Sequence, residues 1–328
     1  MKKNHIAIIG AGLTGLLLAQ KLKNFANITL FEKSRGVGGR LATRRNTSTT
    51  FDHGAQYFTA RNTQFKAWLA PLINQNLVTQ WHPKYALFDG FNLISTQWPS
   101  IEPRYIATPS MNTLAKYLAS EYHILNNVHI DKIYRDTQWT LKDTHQNIYS
   151  NFDWIILAIP SHQALHFIDK NSFFYEDLAK IKMTPCFSAM LEFNHPLDSA
   201  FDCAHIKNHD IAWLALNHTK PGRSSAPTLI VQSSAKYSEQ CIDMKKEDVL
   251  EDLIHKVTSF LPFNSDSIIH KDIHLWRYAN NQDFSTSKLL VDCDTNLAIA
   301  GDFCSGGRVE GAFDSAMKTA DIILNKLK

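Results

Sequence analysis

The chain has 328 residues, enough for two domains, with 44% hydrophobic and 20% charged residues, and a formal net charge of only +3 gives no electrostatic reason to expect a nucleic-acid partner. Its five cysteines, Cys186, Cys203, Cys241, Cys293 and Cys304, are scattered, odd in number and form no C-x-x-C pair, which argues against a disulfide framework and fits a reducing cytoplasm. No stretch approaches the roughly 18 apolar residues of a membrane span, so no membrane partner is expected.

Met1-Lys2-Lys3 before an apolar stretch superficially resembles a signal peptide, but the glycines at 10, 12 and 15 offer a better reading. The segment from His5 to Ile9 is predicted as a buried strand, Leu16 to Leu22 as the opening of a helix, and Ile28 to Glu32 as a second strand. Together they form a βαβ unit at the start of the chain. A helix is predicted from Met111 to Ala119. Strands follow from Val128 to Arg135, Trp139 to Lys142 and Trp154 to Ile159. The stretch 161–287 is read as irregular, with strands around 188–193, 212–216 and 229–233. A helix over 249–261 has apolar residues at helical spacing. A short strand at 297–300 and a helix over 311–327 return to α/β order.

Gly10-Ala11-Gly12-Leu13-Thr14-Gly15 is a G-x-G-x-x-G sequence placed between a predicted strand and helix, the context that gives the motif its meaning. Gly10 permits the tight turn, Gly12 lets backbone approach a pyrophosphate, and Gly15 allows close helix–strand packing. The helix N-terminus stabilises the anion. Glu32 ends the second strand seventeen residues after Gly15, where a carboxylate accepts from ribose hydroxyls, and Lys33 is counted with it as cofactor-binding. Glycines alone do not separate FAD from NAD. Gly36-Val37-Gly38-Gly39-Arg40 supplies a second glycine turn, and Arg40 can neutralise pyrophosphate oxygens. The bland alternative is a solvated basic loop, since Arg35, Arg44 and Arg45 are close by. Near the C-terminus, a strand ending in Gly301-Asp302 can place a carboxylate on a ribityl chain. The helix opened by Gly306-Gly307-Arg308-Val309-Glu310 points its positive end back at the site. Two chain ends serving one cofactor imply a discontinuous domain.

These elements together resemble the flavin amine oxidase superfamily. Phe51-Asp52-His53-Gly54-Ala55-Gln56-Tyr57-Phe58-Thr59 is similar to the D-x-G-A-Q-Y-[IF]-T segment of renalases. The segment 105–112 looks like the one entering their substrate-side helix, and 213–217, 220–223 and 276–279 resemble bacterial renalase-like proteins. The resemblance runs over nearly the whole chain and implies one non-covalently held FAD. It implies that Thr14, Arg40, Gln56 and Tyr57 contact FAD, that the backbone at Ile130 meets the adenine, and that Val309 and Glu310 lie beneath the flavin. It also implies oxidation of 2- or 6-dihydro isomers of NAD(P), a small-molecule substrate, by hydride transfer to flavin N5 with oxygen as acceptor. Tyr278 stands where some relatives carry histidine.

The expected fold is α/β: a Rossmann-like FAD-binding domain (1–66, 106–160 and 288–328) with an inserted mixed-sheet substrate domain (67–105 and 161–287). Tyr57, Trp213, Trp276 and Tyr278 are the pocket residues to watch; for the two tryptophans and Tyr278, lining a cavity and packing in a sheet core are equally open readings. The middle of the chain offers aromatic and amide side chains but no evident buried base. Three His-x-x-x-His pairs, 162/166, 205/209 and 270/274, lack the glutamate of H-E-x-x-H, and no metal is expected. Cys304 could be imagined as a covalent flavin link, but it follows Asp302 too closely for that. Two rival readings remain: a flavin oxidase of small amines, and a non-catalytic FAD-binding protein.

Overall fold

The computed structural model describes residues 3–282 and 288–327. They form two compact units. The first comprises 1–41, 114–183 and 281–328, and the second 42–113 and 184–280.

The first unit is built on a six-stranded sheet in the order Leu290–Asp292, Leu297–Ile299, Trp154–Leu157, Asn4–Ile9, Ala26–Glu32, His123–Asn126. All its pairings are parallel except the outermost, Leu290–Asp292 against Leu297–Ile299. Trp154–Leu157 is buried at every position, as a central parallel strand covered on both faces must be. The helix Leu13–Leu22 follows the first strand directly, and the long C-terminal helix Arg308–Leu327 packs against it. A small antiparallel sheet, Ile130–Arg135, Trp139–Asp143 and Ile148–Phe152, completes the unit.

The second unit is a seven-stranded mixed sheet, in the order Ile268–Asn281, Met183–Phe193, Thr228–Ser233, Ile211–Leu216, Cys203–Lys207, Tyr85–Asp89, Asn92–Ser95. Cys203–Lys207 pairs parallel with Tyr85–Asp89, joining two distant stretches of chain. The helix Lys246–Val257 buries Val249, Leu250, Leu253, Ile254 and Val257 against this sheet. That is the helical spacing expected from sequence.

The mixed α/β class is as expected. The unit boundaries differ from the expected domains at four places: 42–66 and 106–113 fall in the second unit, and 161–183 and 281–282 in the first. The cause is local pairing. Phe58 bridges Tyr105, and Val78–Trp81 pairs with Arg104–Ala107, so the segment after Leu41 folds with its own near neighbours. The stretch read as irregular carries five of the seven strands of the second unit's sheet. Its strands Met183–Phe193 and Ile268–Asn281 are long, and the first shows no period-2 alternation because every residue is buried. Positions 283–287 of the expected substrate domain lie outside the described residues.

Candidate functional site

In the first unit the glycine motif forms a turn between strand and helix. Gly10 has φ +105°, and a Cβ there would lie 2.4 Å from the Ala158 carbonyl oxygen. At Gly15 a Cβ would lie 2.0 Å from the Gly10 carbonyl oxygen, so helix and turn meet at a distance only glycine permits. Gly12 is different: a Cβ there would meet nothing within 4 Å. Gly12 caps the helix Leu13–Leu22 without offering a side chain, so no side-chain oxygen accepts from the first-turn N–H groups. Open space in front of helix-terminal donors that no side chain caps is the arrangement that receives a pyrophosphate.

The second glycine turn closes on the first. The Gly38 amide donates to the Ala11 carbonyl at 2.8 Å, and Gly12 and Gly38 form a parallel bridge. A Cβ on Gly39 would sit 3.5 Å from the Gly12 Cα. Glu32 is buried at the end of its strand, one oxygen accepting from the Ala11 amide at 3.0 Å and the other from Ser34 at 2.8 Å. A carboxylate has about four acceptor positions, so two remain for ribose hydroxyls. Lys33 is exposed.

Arg40 and Asp302, both assigned to the cofactor from sequence, reach each other. The guanidinium donates from Nη1 to Oδ2 at 2.9 Å and from Nη2 to Oδ1 at 2.5 Å. Asp302 begins a single 3-10 turn, and its backbone carbonyl accepts from Gly307 at 2.7 Å on the way into the C-terminal helix. Val309 is buried and Glu310 half-buried in the first turn of that helix. Gly311 has a packing reason: a Cβ there would lie 2.5 Å from the Ser305 carbonyl oxygen. The Thr14 hydroxyl donates to the Ala312 carbonyl at 3.4 Å, tying the two helices together. Ile130 is buried at the start of its strand, opposite Asp143. Cys304 is 1% exposed, and burial pushes its thiol up to about 12, so it is not a thiolate nucleophile.

In the second unit Tyr57 and Trp213 come together, ring centroids 5.6 Å apart. Trp98 lies 5.5 Å from Tyr57, and Trp81 at 6.5 Å. Tyr85 stacks on Trp98 at 3.9 Å, and His205 packs edge-on to Trp213 at 4.5 Å. Burial, with Arg104 nearby, lowers the His205 ring to about 4, so it is a neutral imidazole and a weak base. Trp276 instead stacks on His53 at 5.2 Å and donates its indole N–H to the His53 carbonyl at 2.8 Å. His274 meets both rings. His53 and His274 are each lowered to about 4, first by burial; Arg44 adds to this for His53, and for His274 so do the repulsion that protonating both rings would bring and Arg44. Tyr278 is half-buried on the same strand.

His270 and His274 do fall on one strand, but each finds a different partner, Phe51 for the first and His53 for the second. Among the described residues no group of three or more His, Cys, Asp or Glu could hold a metal.

The sequence reading missed a buried ionic cluster in the second unit. Asp52 accepts from Arg223 at 3.0 Å (Nε) and 2.6 Å (Nη2) on one oxygen, and from the Thr43 hydroxyl and the Met111 amide on the other. Burial works against its charge, but Lys220 and Arg223 outweigh that and hold its carboxyl below the usual range. Lys220 is 1% exposed and donates to Gln56 Oε1 at 3.0 Å and Asn217 Oδ1 at 3.1 Å. The Gln56 amide nitrogen donates to the Asp52 and Gly54 carbonyls, so this side chain braces the unit from within. The signal was legible: a charged residue between Phe51 and His53, and two cations bracketing Pro221-Gly222.

Residues 8–72 match the NAD(P)-binding Rossmann-like domain, and residues 100–324 match the family described as flavin containing amine oxidoreductase. Over 351 aligned residues, covering 98% of each chain, the protein is 20% identical to renalase of Mus musculus. Two solved structures share its fold: a protein from Exiguobacterium sp. 255-15 assigned as a protoporphyrinogen oxidase (TM-score 0.77, 12% identity, 98% of this chain and 99% of that one) and a double mutant of putrescine oxidase redesigned in its cofactor binding (TM-score 0.72, 9% identity, 99% of each). The cradle in front of Gly12, with Glu32 and the Arg40–Asp302 pair beside it, suits the dinucleotide such enzymes use. The chain belongs to the flavin containing amine oxidoreductases and is an FAD-dependent oxidoreductase related to renalase.

Proposed function

We propose that the enzyme oxidises 2- or 6-dihydro isomers of NAD(P), with oxygen as the final acceptor. In this reading the first unit holds the FAD without a covalent bond, and the second shapes the donor side. Gly12, the Leu13–Leu22 helix N-terminus and Arg40 would hold the pyrophosphate, Glu32 a ribose, and Asp302 the ribityl chain. Bound FAD supplies the hydride acceptor and the route of the electrons to oxygen.

The observation that carries the donor assignment is the aromatic shell around Tyr57 and Trp213 and the weakness of its base. A flat dihydropyridine needs stacking surface and orientation, which Tyr57, Trp98 and Trp213 offer. It surrenders hydride without first losing a proton. An ammonium donor must be deprotonated, and His205, lowered to about 4, holds a proton far more weakly than an amine does. The similarity to renalase along the whole chain supports the same reading.

The test is stopped-flow absorbance of the oxidised flavin under argon. Either dihydro isomer should bleach it rapidly, and ordinary 4-dihydro-NADH should be slower because its hydride sits at another ring position. Rapid bleaching by a primary amine, with no response to either isomer, would replace this reading with amine oxidation. No bleaching by any donor would favour a non-catalytic FAD-binding protein.

A further inference from the structure

The cluster around Asp52 carries one negative and two positive charges, all buried; the side chains of Asp52 and Lys220 have no exposed surface and that of Arg223 is 1% exposed. Geometry decides which cation owns the carboxylate. Arg223 takes it with two short contacts, while Lys220 Nζ stands 3.6 Å away, beyond hydrogen-bond distance. Among the described residues no other carboxylate reaches either cation. Lys220 is therefore held by neutral acceptors: Gln56 Oε1, Asn217 Oδ1 and, at 5.5 Å, the face of the Trp81 ring.

Those acceptors are not there by default. The Gln56 amide nitrogen is taken by the Asp52 and Gly54 carbonyls, and that of Asn217 by the Thr50 carbonyl at 2.8 Å. With both nitrogens committed, both amide oxygens must face Lys220. Three segments of the second unit thus converge to hold an ammonium that shares its one nearby carboxylate, Asp52 at 3.6 Å, with Arg223 and leaves the cluster with a net positive charge. Burying such a charge is costly, and for fold stability alone an apolar side chain would serve as well.

We propose that Lys220 is a specificity-determining charge that makes the donor site reject cations: ammonium donors before reaction, and the oxidised pyridinium ring after it. The proposal rests on the dihydropyridine reading above. A neutral dihydropyridine meets no repulsion. Once it has given up hydride, its ring carries a positive charge and is repelled, which favours release. At an effective dielectric constant of about 20, a net buried charge near the ring gives a discrimination of roughly tenfold.

The groups facing Lys220 make the charge adjustable. Burial pulls its ammonium down to about 8, with Asp52 opposing and Arg223 adding to the fall; Cys203 faces it too, its own thiol held neutral by burial. Lys220 is accordingly charged at neutral pH and sheds its proton as the pH rises past 8, when the discrimination should relax.

The experiment measures binding of two unreactive probes to the FAD-loaded enzyme by perturbation of the oxidised flavin spectrum. Nicotinamide is neutral, and 1-methylnicotinamide has nearly the same shape with a fixed positive charge. Wild type at pH 7 should bind nicotinamide roughly tenfold or more tighter. Lys220→Met should lower the ratio several-fold, the guanidinium of Arg104 over Trp98 accounting for what remains, and Lys220→Arg should keep it. In the unaltered protein the ratio should shrink between pH 7 and 9.5, which keeps the test decisive if Lys220→Met folds poorly. A ratio unchanged in Lys220→Met, or a wild-type ratio indifferent to pH across that range, overturns the proposal. The ratio needs the ring only to bind, so an error in the donor assignment would show in the bleaching experiment and leave the ratio intact.

Discussion

Arg40 and Asp302 lie 262 positions apart in sequence and form a two-pronged ion pair in the first unit. Asp302 is buried and Arg40 about one-third exposed, with side-chain values of 7% and 32%. The pair converts a bare cation into a fixed donor fork whose charge is already balanced. Arg40 would then act on a pyrophosphate through directed N–H groups more than through net charge.

Arg40→Ala should weaken FAD binding by roughly 10- to 100-fold, the loss of one charge-assisted contact. It should also destabilise the apoprotein by about 1–2 kcal/mol, because the Asp302 carboxylate is left buried without its partner, while water at the exposed part of the site offsets some of the loss. Adding Asp302→Asn should recover most of the stability and none of the affinity. Thermal melts of the apoproteins and FAD titrations of all three variants check both halves.

Glycine-to-alanine changes at 12 and 15 should separate cofactor binding from folding. Gly12 has φ −73° and ψ −179°, extended backbone that alanine adopts, and its Cβ would enter open space. Gly12→Ala should fold with unchanged or slightly raised stability yet bind FAD roughly tenfold or more weakly. Gly15→Ala would set a Cβ 2.0 Å from a backbone oxygen and should yield little folded protein. If both variants fold and bind FAD like wild type, the cradle is elsewhere.

Acid should destabilise the second unit well before its carboxylates titrate. His53, His205 and His274 are each lowered to about 4, against an ordinary value near 6.5. Above pH 7 they are neutral folded or unfolded and contribute nothing to pH dependence. Between about 6.5 and 4 the unfolded chain takes up protons that the folded unit refuses, so stability falls with pH and levels off below 4. The contribution at pH 5 is about 1–2 kcal/mol per ring. Melting temperatures should be flat from pH 8 to 7 and fall steeply from 6.5 to 5; a flat profile down to pH 5 would contradict these shifts.

Acid or heat should release FAD into solution, since a neutral, buried Cys304 is a poor partner for a covalent link. A thiol reagent on the native protein should modify Cys293 first, the half-buried cysteine, with the other four buried. Flavin that precipitates with the chain would point back to Cys304.

What could be read from sequence follows from the range of the interactions concerned. The strand–glycine–helix start, the Lys246–Val257 helix and the C-terminal helix are encoded by local spacing, and each lies within a few residues of expectation. Met183–Phe193 was cut short because a strand buried on both faces loses the alternation that marks strands. The hairpin Tyr85–Asp89 and Asn92–Ser95 was not foreseen, because what holds it is pairing with Cys203–Lys207, more than a hundred positions on. The segment 220–223 stands out by resemblance, but the burial of Lys220 does not, because a lysine in Lys-Pro-Gly-Arg reads as a surface loop. Its burial is decided by Gln56, Asn217 and Asp52, which no short window contains.

The order in which the ribosome delivers these strands has a cost. The first unit's sheet places Asn4–Ile9 beside Trp154–Leu157, made much later, which pairs in turn with Leu297–Ile299, and the helix Leu13–Leu22 waits for Arg308–Leu327. The second unit holds Tyr85–Asp89 until Cys203–Lys207 emerges. Neither half can close until these later strands emerge, so the apolar strand Ile6–Ile9 stays without its partner Trp154–Leu157 until then, a state open to non-native pairing. Removing the helix Arg308–Leu327 should therefore cost the fold of the segment Asn4–Glu32 as well.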